Sequence, residues 1–172
     1  MKVAVLTISD RCARGEVPDL TGPALREALV EVGAEVLELR VIPDEREMIQ
    51  AELLRLSDQV GADVVITSGG TGLGPRDVTP EATEAVLERR APGIAEAMRM
   101  GSLVHTPTAM LSRGTAGLRG TTLIVNLPGS PRGATECLGI ILPALGHALD
   151  MIAGCGHRPQ TGRDGGKSPG AT

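Results

Sequence analysis

The sequence predicts an α/β protein built on a mostly parallel sheet covered by helices. Three observations carry that prediction. Short β-favouring runs alternate with stretches of helical periodicity along most of the chain. Two of the runs, DVVITS (63–68) and TTLIVNL (121–127), are apolar without a polar side, as strands buried on both faces are. The length, 172 residues, matches a single domain of roughly 100–200 residues.

The elements follow in order. Residues 2–9 (KVAVLTIS) read as the first strand, and residues 22–32 carry Leu25, Ala28, Leu29 and Val32 at helical spacing. Residues 35–42 form a second β-favouring run. Residues 45–60 then place Ile49, Leu53, Leu56 and Val60 on one helical face. After the strand at 63–68, Thr79-Pro80-Glu81 reads as a helix start: a capping hydroxyl, a proline at the first helical position and an acid in the first turn. Residues 92–101 predict another short helix and 121–127 another strand. From Pro131 to Ile152, Leu138, Leu142, Leu145, Leu149 and Ile152 mark a last helix, with a kink expected at Pro143. The domain is expected over 1–154, and residues 155–172, rich in Gly and Pro, as a flexible tail.

Composition excludes several functions. The chain has no Phe, Tyr or Trp, so modules that stack nucleobases on aromatic platforms are ruled out. The core must be made of Leu, Val, Ile, Ala and Met. A net charge of −4 without a basic run argues against nucleic acid as a partner. No apolar run approaches the ~20 residues that a membrane helix needs, so no membrane association is expected. The N-terminal residues read as a strand rather than a signal peptide. Cys12, Cys137 and Cys155 are odd in number and widely spaced, as reduced thiols of a cytoplasmic protein are. His105, His147 and His157 are scattered and do not have the spacing of a structural metal site.

In parallel α/β folds ligands bind at the carboxyl ends of the strands, which directs attention to residues 10–22, 43–44, 68–80 and 128–132. The richest is SGGTGLGPRDVTP (68–80). Its four glycines let backbone N–H groups of Ser68, Gly69, Gly70, Thr71 and Gly72 converge, as in loops that cradle phosphate or carboxylate oxygens. It is not a Walker A loop, because Pro75-Arg76 stands where Lys-Ser/Thr would grip phosphate, and it is not a dinucleotide loop, because a third glycine would fall on Pro75. Asp77 closes the segment. It either orders the turn by accepting backbone N–H groups or stands beside an anion cradle to hold Mg2+ or a nucleophile.

Asp44 is open to two compatible readings: a helix N-cap paired with Glu47, or a carboxylate at a strand end facing a ligand. NLPGSPRG (126–133) is either a stiff turn or a ligand loop. Pro128 and Pro131 stiffen it, Gly129 permits close approach, and Ser130 and Arg132 stand near a helix N-terminus. SDRCARGE (9–16) places Ser9, Asp10 and Arg11 after the first strand, as a solvated loop or a third wall of the site. Ser112 and Arg113 offer a further hydroxyl and cation. Arg11, Arg76, Arg113 and Arg132 together, in an acidic chain, point to an anionic, phosphate-bearing ligand. No histidine lies in these loops to form a Ser-His-Asp arrangement, and Cys12 reads as packing rather than a nucleophile.

TISDR near the start, IPDE at 42–45, SGGTGLGPRDVTPEAT at 68–83, PTAMLSR at 107–113 and NLPGSP at 126–131 resemble the molybdopterin adenylyltransferases of the MogA/MoaB family, in order and spacing, from Lys2 to Gly154. The resemblance implies a three-layer α/β/α sandwich that assembles as a trimer, with hexamers in some members. It implies transfer of AMP from Mg-ATP to the terminal phosphate of molybdopterin with release of pyrophosphate. A downstream molybdate-inserting protein would then use the adenylylated product. The family's two essential aspartates fall on Asp44 and Asp77, which would also hold Mg2+. Its nucleotide- and pterin-contacting positions fall on residues 68–72, on Pro128, Gly129 and Ser130, on Ser112 and on Asp10. The other reading is a molybdopterin-binding or assembly protein of the same fold without catalysis; the presence of both aspartates favours the enzyme.

Overall fold

The computed structural model describes residues 1–154; the tail expected at 155–172, with Cys155 and His157, lies outside the described residues. Six strands form one sheet: β1 (Lys2–Ile8), β2 (Glu35–Ile42), β3 (Val64–Ser68), β4 (Arg89–Arg90), β5 (Ala116–Arg119) and β6 (Thr122–Leu127). Their order is β2-β1-β3-β6-β5-β4. The first four in that order are parallel, and β5 and β4 add an antiparallel edge.

Alternation along the central strands builds two cores, one on each face. Val3 and Val5 of β1, Val64 and Ile66 of β3, and Leu123, Val125 and Leu127 of β6 face one side. There α2 (Thr21–Glu31) contributes Leu25 and Leu29, α5 (Pro92–Ser102) contributes Ala95 and Met98, and α6 (Pro131–Ile152) contributes Leu138 and Leu145. Ala4, Leu6, Ile8, Val65 and Ile124 face the other side, under Ile49 and Leu53 of α3 (Arg46–Arg55) and Ala82 of α4 (Thr79–Glu84). The result is the three-layer α/β/α sandwich, with a core free of aromatic residues, as the composition requires.

Local differences from the sequence reading have physical causes. The antiparallel β5–β4 edge has no counterpart in that reading: AGLR lacks β-branched residues and β4 is only two residues long. The short α1 (Asp10–Ala13) is similarly brief. The helix expected to reach residue 60 stops as a regular α-helix at Arg55. It widens into a π-turn over Leu56–Val60 that ends on left-handed Gly61. The N-cap of α4 is Val78, not Thr79, which is the first helical residue. Helix α6 runs unbroken through Pro143. By length and composition α6 is long and apolar enough to cross a membrane, which corrects the expectation that no segment comes near that size. In this fold it supplies Ala134, Cys137, Leu138, Ile141 and Leu145 to the core.

Candidate functional site

Because β1, β2, β3 and β6 are parallel, their carboxyl ends open on one edge, and the loops that follow are tied together there. Ser9 N–H donates to the Ile42 carbonyl at 2.9 Å and Gly69 N–H to the Leu127 carbonyl at 3.2 Å. The Ser68 hydroxyl donates to the Pro128 carbonyl at 3.0 Å, and Thr21 to the Gly129 carbonyl at 2.9 Å. Gly69 has φ +106°, and a Cβ there would collide with the Ile8 carbonyl oxygen. A Cβ on Gly129 would sit 3.2 Å from the Gly69 Cα. Two glycine turns therefore pass at a distance that side chains would not allow.

The aspartates form the acidic side of this edge. Asp44 Oδ2 accepts the Asp10 N–H at 2.7 Å, and Asp10 Oδ1 accepts the Asp44 N–H at 3.0 Å, a reciprocal pair that locks the ends of β1 and β2 together. Asp44 is therefore not the cap of α3. That position belongs to Glu45, which makes no side-chain cap bond, so the capping box with Glu47 is not formed. Asp77 Oδ2 accepts the Gly74 N–H at 2.7 Å, so it does order its turn. Burial raises the Asp44 pKa above the ordinary aspartate value. The Asp10 N–H opposes that rise, while the negative charges of Asp10 and Asp77 add to it. The Arg76 guanidinium holds Asp10 below its usual value.

Two cavities flank the glycine loop. One, about 580 Å³, is lined by Ser9, Arg11, Asp44, Ser68, Gly69 and Asp77 among others, with Gly70 and Gly129 also on its wall. The other, about 400 Å³ and more apolar, is lined by Thr71, Gly72, Ser112, Pro128, Ser130 and Cys137 among others. Most of the predicted site residues thus divide between adjoining chambers that share the loops at 68–72 and 128–130, while Asp10, Arg113 and Arg132 line neither. Sequence reasoning missed the wall of the second chamber, where Met98, Arg99 and Ser102 of α5 stand. They have the spacing of an ordinary buried helix face, and nothing else marks them.

The arginines correct one expectation. Arg76 binds Asp10 at 3.1 Å and Glu45 at 2.7 Å. Arg132 pairs with Glu136 at 2.7 Å, exposed on α6. Arg113 donates to the carbonyls of Gly72 and Asp77 and pairs with Glu81. Three of the four cations thus already face carboxylates of the same chain, and Arg113 serves as a strut under the glycine loop. Arg11 alone of the four carries no such pair among the described residues, and it lines the larger cavity. Ser9 and Ser130 use their oxygens as helix caps, accepting the N–H groups of Cys12 and Gly133 at 3.3 and 3.2 Å.

A parallel sheet whose strand ends gather glycine turns, two aspartates and an arginine around a cavity defines an α/β/α protein with a ligand-binding site at its strand ends. Residues 4–147 match the family described as "Probable molybdopterin binding domain". The chain belongs to that family. It is 45% identical over 154 residues to the molybdopterin adenylyltransferase of Helicobacter pylori (strain ATCC 700392 / 26695), covering 88% of each chain. It is 42% identical over 151 residues to that of Escherichia coli K12, covering 87% of this chain and 77% of the relative. Among solved structures, the molybdopterin biosynthesis enzyme MoaB of Thermus thermophilus is 52% identical and superposes with a TM-score of 0.85 over 89% of this chain and 96% of its own.

Proposed function

We propose that this protein is a molybdopterin adenylyltransferase, transferring AMP from Mg-ATP to the terminal phosphate of molybdopterin. A phosphate oxygen of the pterin attacks the α-phosphorus of ATP. The bond from that phosphorus to the β-phosphate bridging oxygen breaks, and pyrophosphate leaves with the electron pair. The attacking phosphate is already anionic near neutral pH, so the protein's work is positioning and charge stabilisation rather than strong proton abstraction. The observation that carries this reading is the single cavity lined by Asp44, Asp77, Arg11 and the glycine turns at Gly69, Gly70 and Gly129. The N–H groups of Gly70, Thr71 and Gly72 receive phosphate oxygens, those of Gly69 and Gly74 being engaged by Leu127 and Asp77, and Arg11 offsets the approach of two anions.

The residues present suit a magnesium ion. Asp44 and Asp77 are hard oxygen donors. The burial and like charges that raise the Asp44 pKa are costs that a divalent cation would relieve. No group of three or more His, Cys, Asp or Glu stands ready to hold a metal among the described residues, so the ion's other ligands would be substrate phosphates and water. When bound, it would draw charge off the α-phosphate and the leaving pyrophosphate.

The reading extends to assembly and place. The protein acts as a homotrimer, with a hexamer as the larger alternative, in the cytoplasm, and its product goes on to a downstream molybdate-inserting protein. Exposed Met100, Leu103, Val104, Met110 and Leu111 crowd one short stretch, which supports self-association.

The test incubates purified protein with molybdopterin, ATP and Mg2+ and follows adenylylated pterin and pyrophosphate by mass spectrometry. Asp77→Asn keeps an oxygen for the Gly74 N–H but removes the charge. It is expected to cut the rate about a hundredfold or more. Tight molybdopterin binding by the wild type without product would make the protein a carrier of the same fold.

A further inference from the structure

Thr79 lies at the first position of α4, fully buried, and its hydroxyl oxygen has no hydrogen-bond partner. A buried hydroxyl left this way destabilises the fold relative to a methyl group of the same shape. Its place is fixed from both sides. The Thr79 N–H donates to the Gly70 carbonyl at 3.1 Å, which ties the start of α4 to the glycine turn. Gly70 has φ +61°, and a Cβ built on it would overlap the Thr79 Oγ1 and stand 3.0 Å from Asp44 Oδ1. The hydroxyl and that carboxylate oxygen therefore both border the space that a Gly70 side chain would fill, with no hydrogen bond between them in this structure. The other oxygen of Asp44, Oδ2, is already held by the Asp10 N–H at 2.7 Å.

We infer that Thr79 is a positioning residue for adenylyl transfer: in the substrate-loaded site its hydroxyl donates to Asp44 Oδ1, so that both oxygens of the carboxylate are oriented. The inference rests on the reaction proposed above. The threonine hydroxyl proton can turn to whichever acceptor comes within reach, so a small approach of Asp44 on substrate binding would complete the bond. Asp44 must hold its direction while charge shifts between phosphates. Thr79 touches no substrate in this scheme and acts through Asp44.

The experiment compares wild type, Thr79→Val and Thr79→Ser by thermal melting without substrates and by steady-state adenylylation with ATP varied. Thr79→Val keeps the branched shape and removes a hydroxyl that the fold does not use. Its melting temperature should equal or exceed that of the wild type, while kcat falls about tenfold and the KM for ATP stays within about threefold. Thr79→Ser should restore most of kcat. Full kcat in Thr79→Val would overturn the inference. So would a kcat in Thr79→Ser as low as in Thr79→Val, which would show that the hydroxyl alone does not carry the effect, and so would a clear drop in the Thr79→Val melting temperature. A wild type that makes no adenylylated product would remove the reaction itself, and this inference with it.

Discussion

Asp44 stands in an environment that suits a ligand better than it suits the fold. Its carboxyl is half-buried, near the charges of Asp10 and Asp77, and its pKa is raised, burial being the largest cause. A raised native pKa means that the folded state binds more protons than the unfolded state in the window between the two values. Stability therefore falls as pH rises through that window. The contribution is present below the ordinary aspartate pKa of 3.8 and is lost once pH passes the higher native value. Asp10, Glu38, Glu81 and Glu136, whose pKa values are lowered, act in the opposite sense, so the whole-protein profile mixes both. The Asp44→Asn difference isolates the group. Urea unfolding of the substrate-free protein from pH 3 to 8 should show the variant gaining on the wild type as pH rises, and should leave it inactive at every pH. A difference that shrinks as pH rises would mean that Asp44 is held by favourable partners. From sequence, both aspartates were legible as strand-end carboxylates. The reciprocal bonds between Asp10 and Asp44 were not, because they join residues 34 apart whose pairing depends on β1 and β2 lying side by side.

At the scale of elements, the glycine loop is a long connection from β3 to α4 that must hold its shape between two cavities. Its own hydrogen bonds are few: Asp77 N–H to the Gly74 carbonyl, Gly74 N–H to the Asp77 carboxylate, and Thr79 N–H to Gly70. Arg113 supplies the missing support from outside. Its side chain reaches the carbonyls of Gly72 and Asp77, and its N–H donates to the Thr71 carbonyl at 2.9 Å. A lysine at this position keeps the charge but cannot spread donors over two carbonyls and Glu81 at once. Arg113→Lys should therefore cost about 1–2 kcal/mol in urea unfolding and lower adenylylation about tenfold or more. Amide exchange should quicken over residues 71–78 and stay unchanged in β1 and β3. Exchange that rises equally across the sheet would show a global rather than a local support. The sequence marked Arg113 as a cation near the site but not as a strut, since its three acceptors lie 32 to 41 residues away. The parallel strands and long helices were legible for the opposite reason. Their signal is local: β-branched runs in β3 and β6, and leucines at helical spacing in α6. The two-residue β4 and its partner β5 have no such signal, and they exist only because the edge of β6 is there to pair with.

The whole molecule is polarised. One edge of the sheet collects the strand ends and the site, and the two faces are sealed by helices over aliphatic cores. The outer strand β2 is blunted by Glu35, Glu38 and Arg40, the last two in ion pairs with Arg55 and Glu52 of α3, so strand-to-strand association is discouraged there. Apolar surface gathers elsewhere, from the end of α5 through the 3₁₀ turn at Pro107–Leu111. Val104 is 80% exposed, Met100 69% and Met110 64%, in a chain with no aromatic residue to anchor an interface. A protein that leaves such residues exposed as a single chain would be prone to non-specific association, and the proposed trimer gives them a partner. Light scattering after gel filtration should return a mass three times the 17.7 kDa of one chain. Val104→Glu combined with Met110→Glu should move that mass toward a single chain. Far-UV circular dichroism should stay unchanged, because both residues are exposed and neither belongs to the two cores. A wild type that runs as one chain would remove the trimer from the proposal. A double variant that stays trimeric would move the interface to another face, with the exposed Val30 and Val32 beside the end of α2 the next place to substitute.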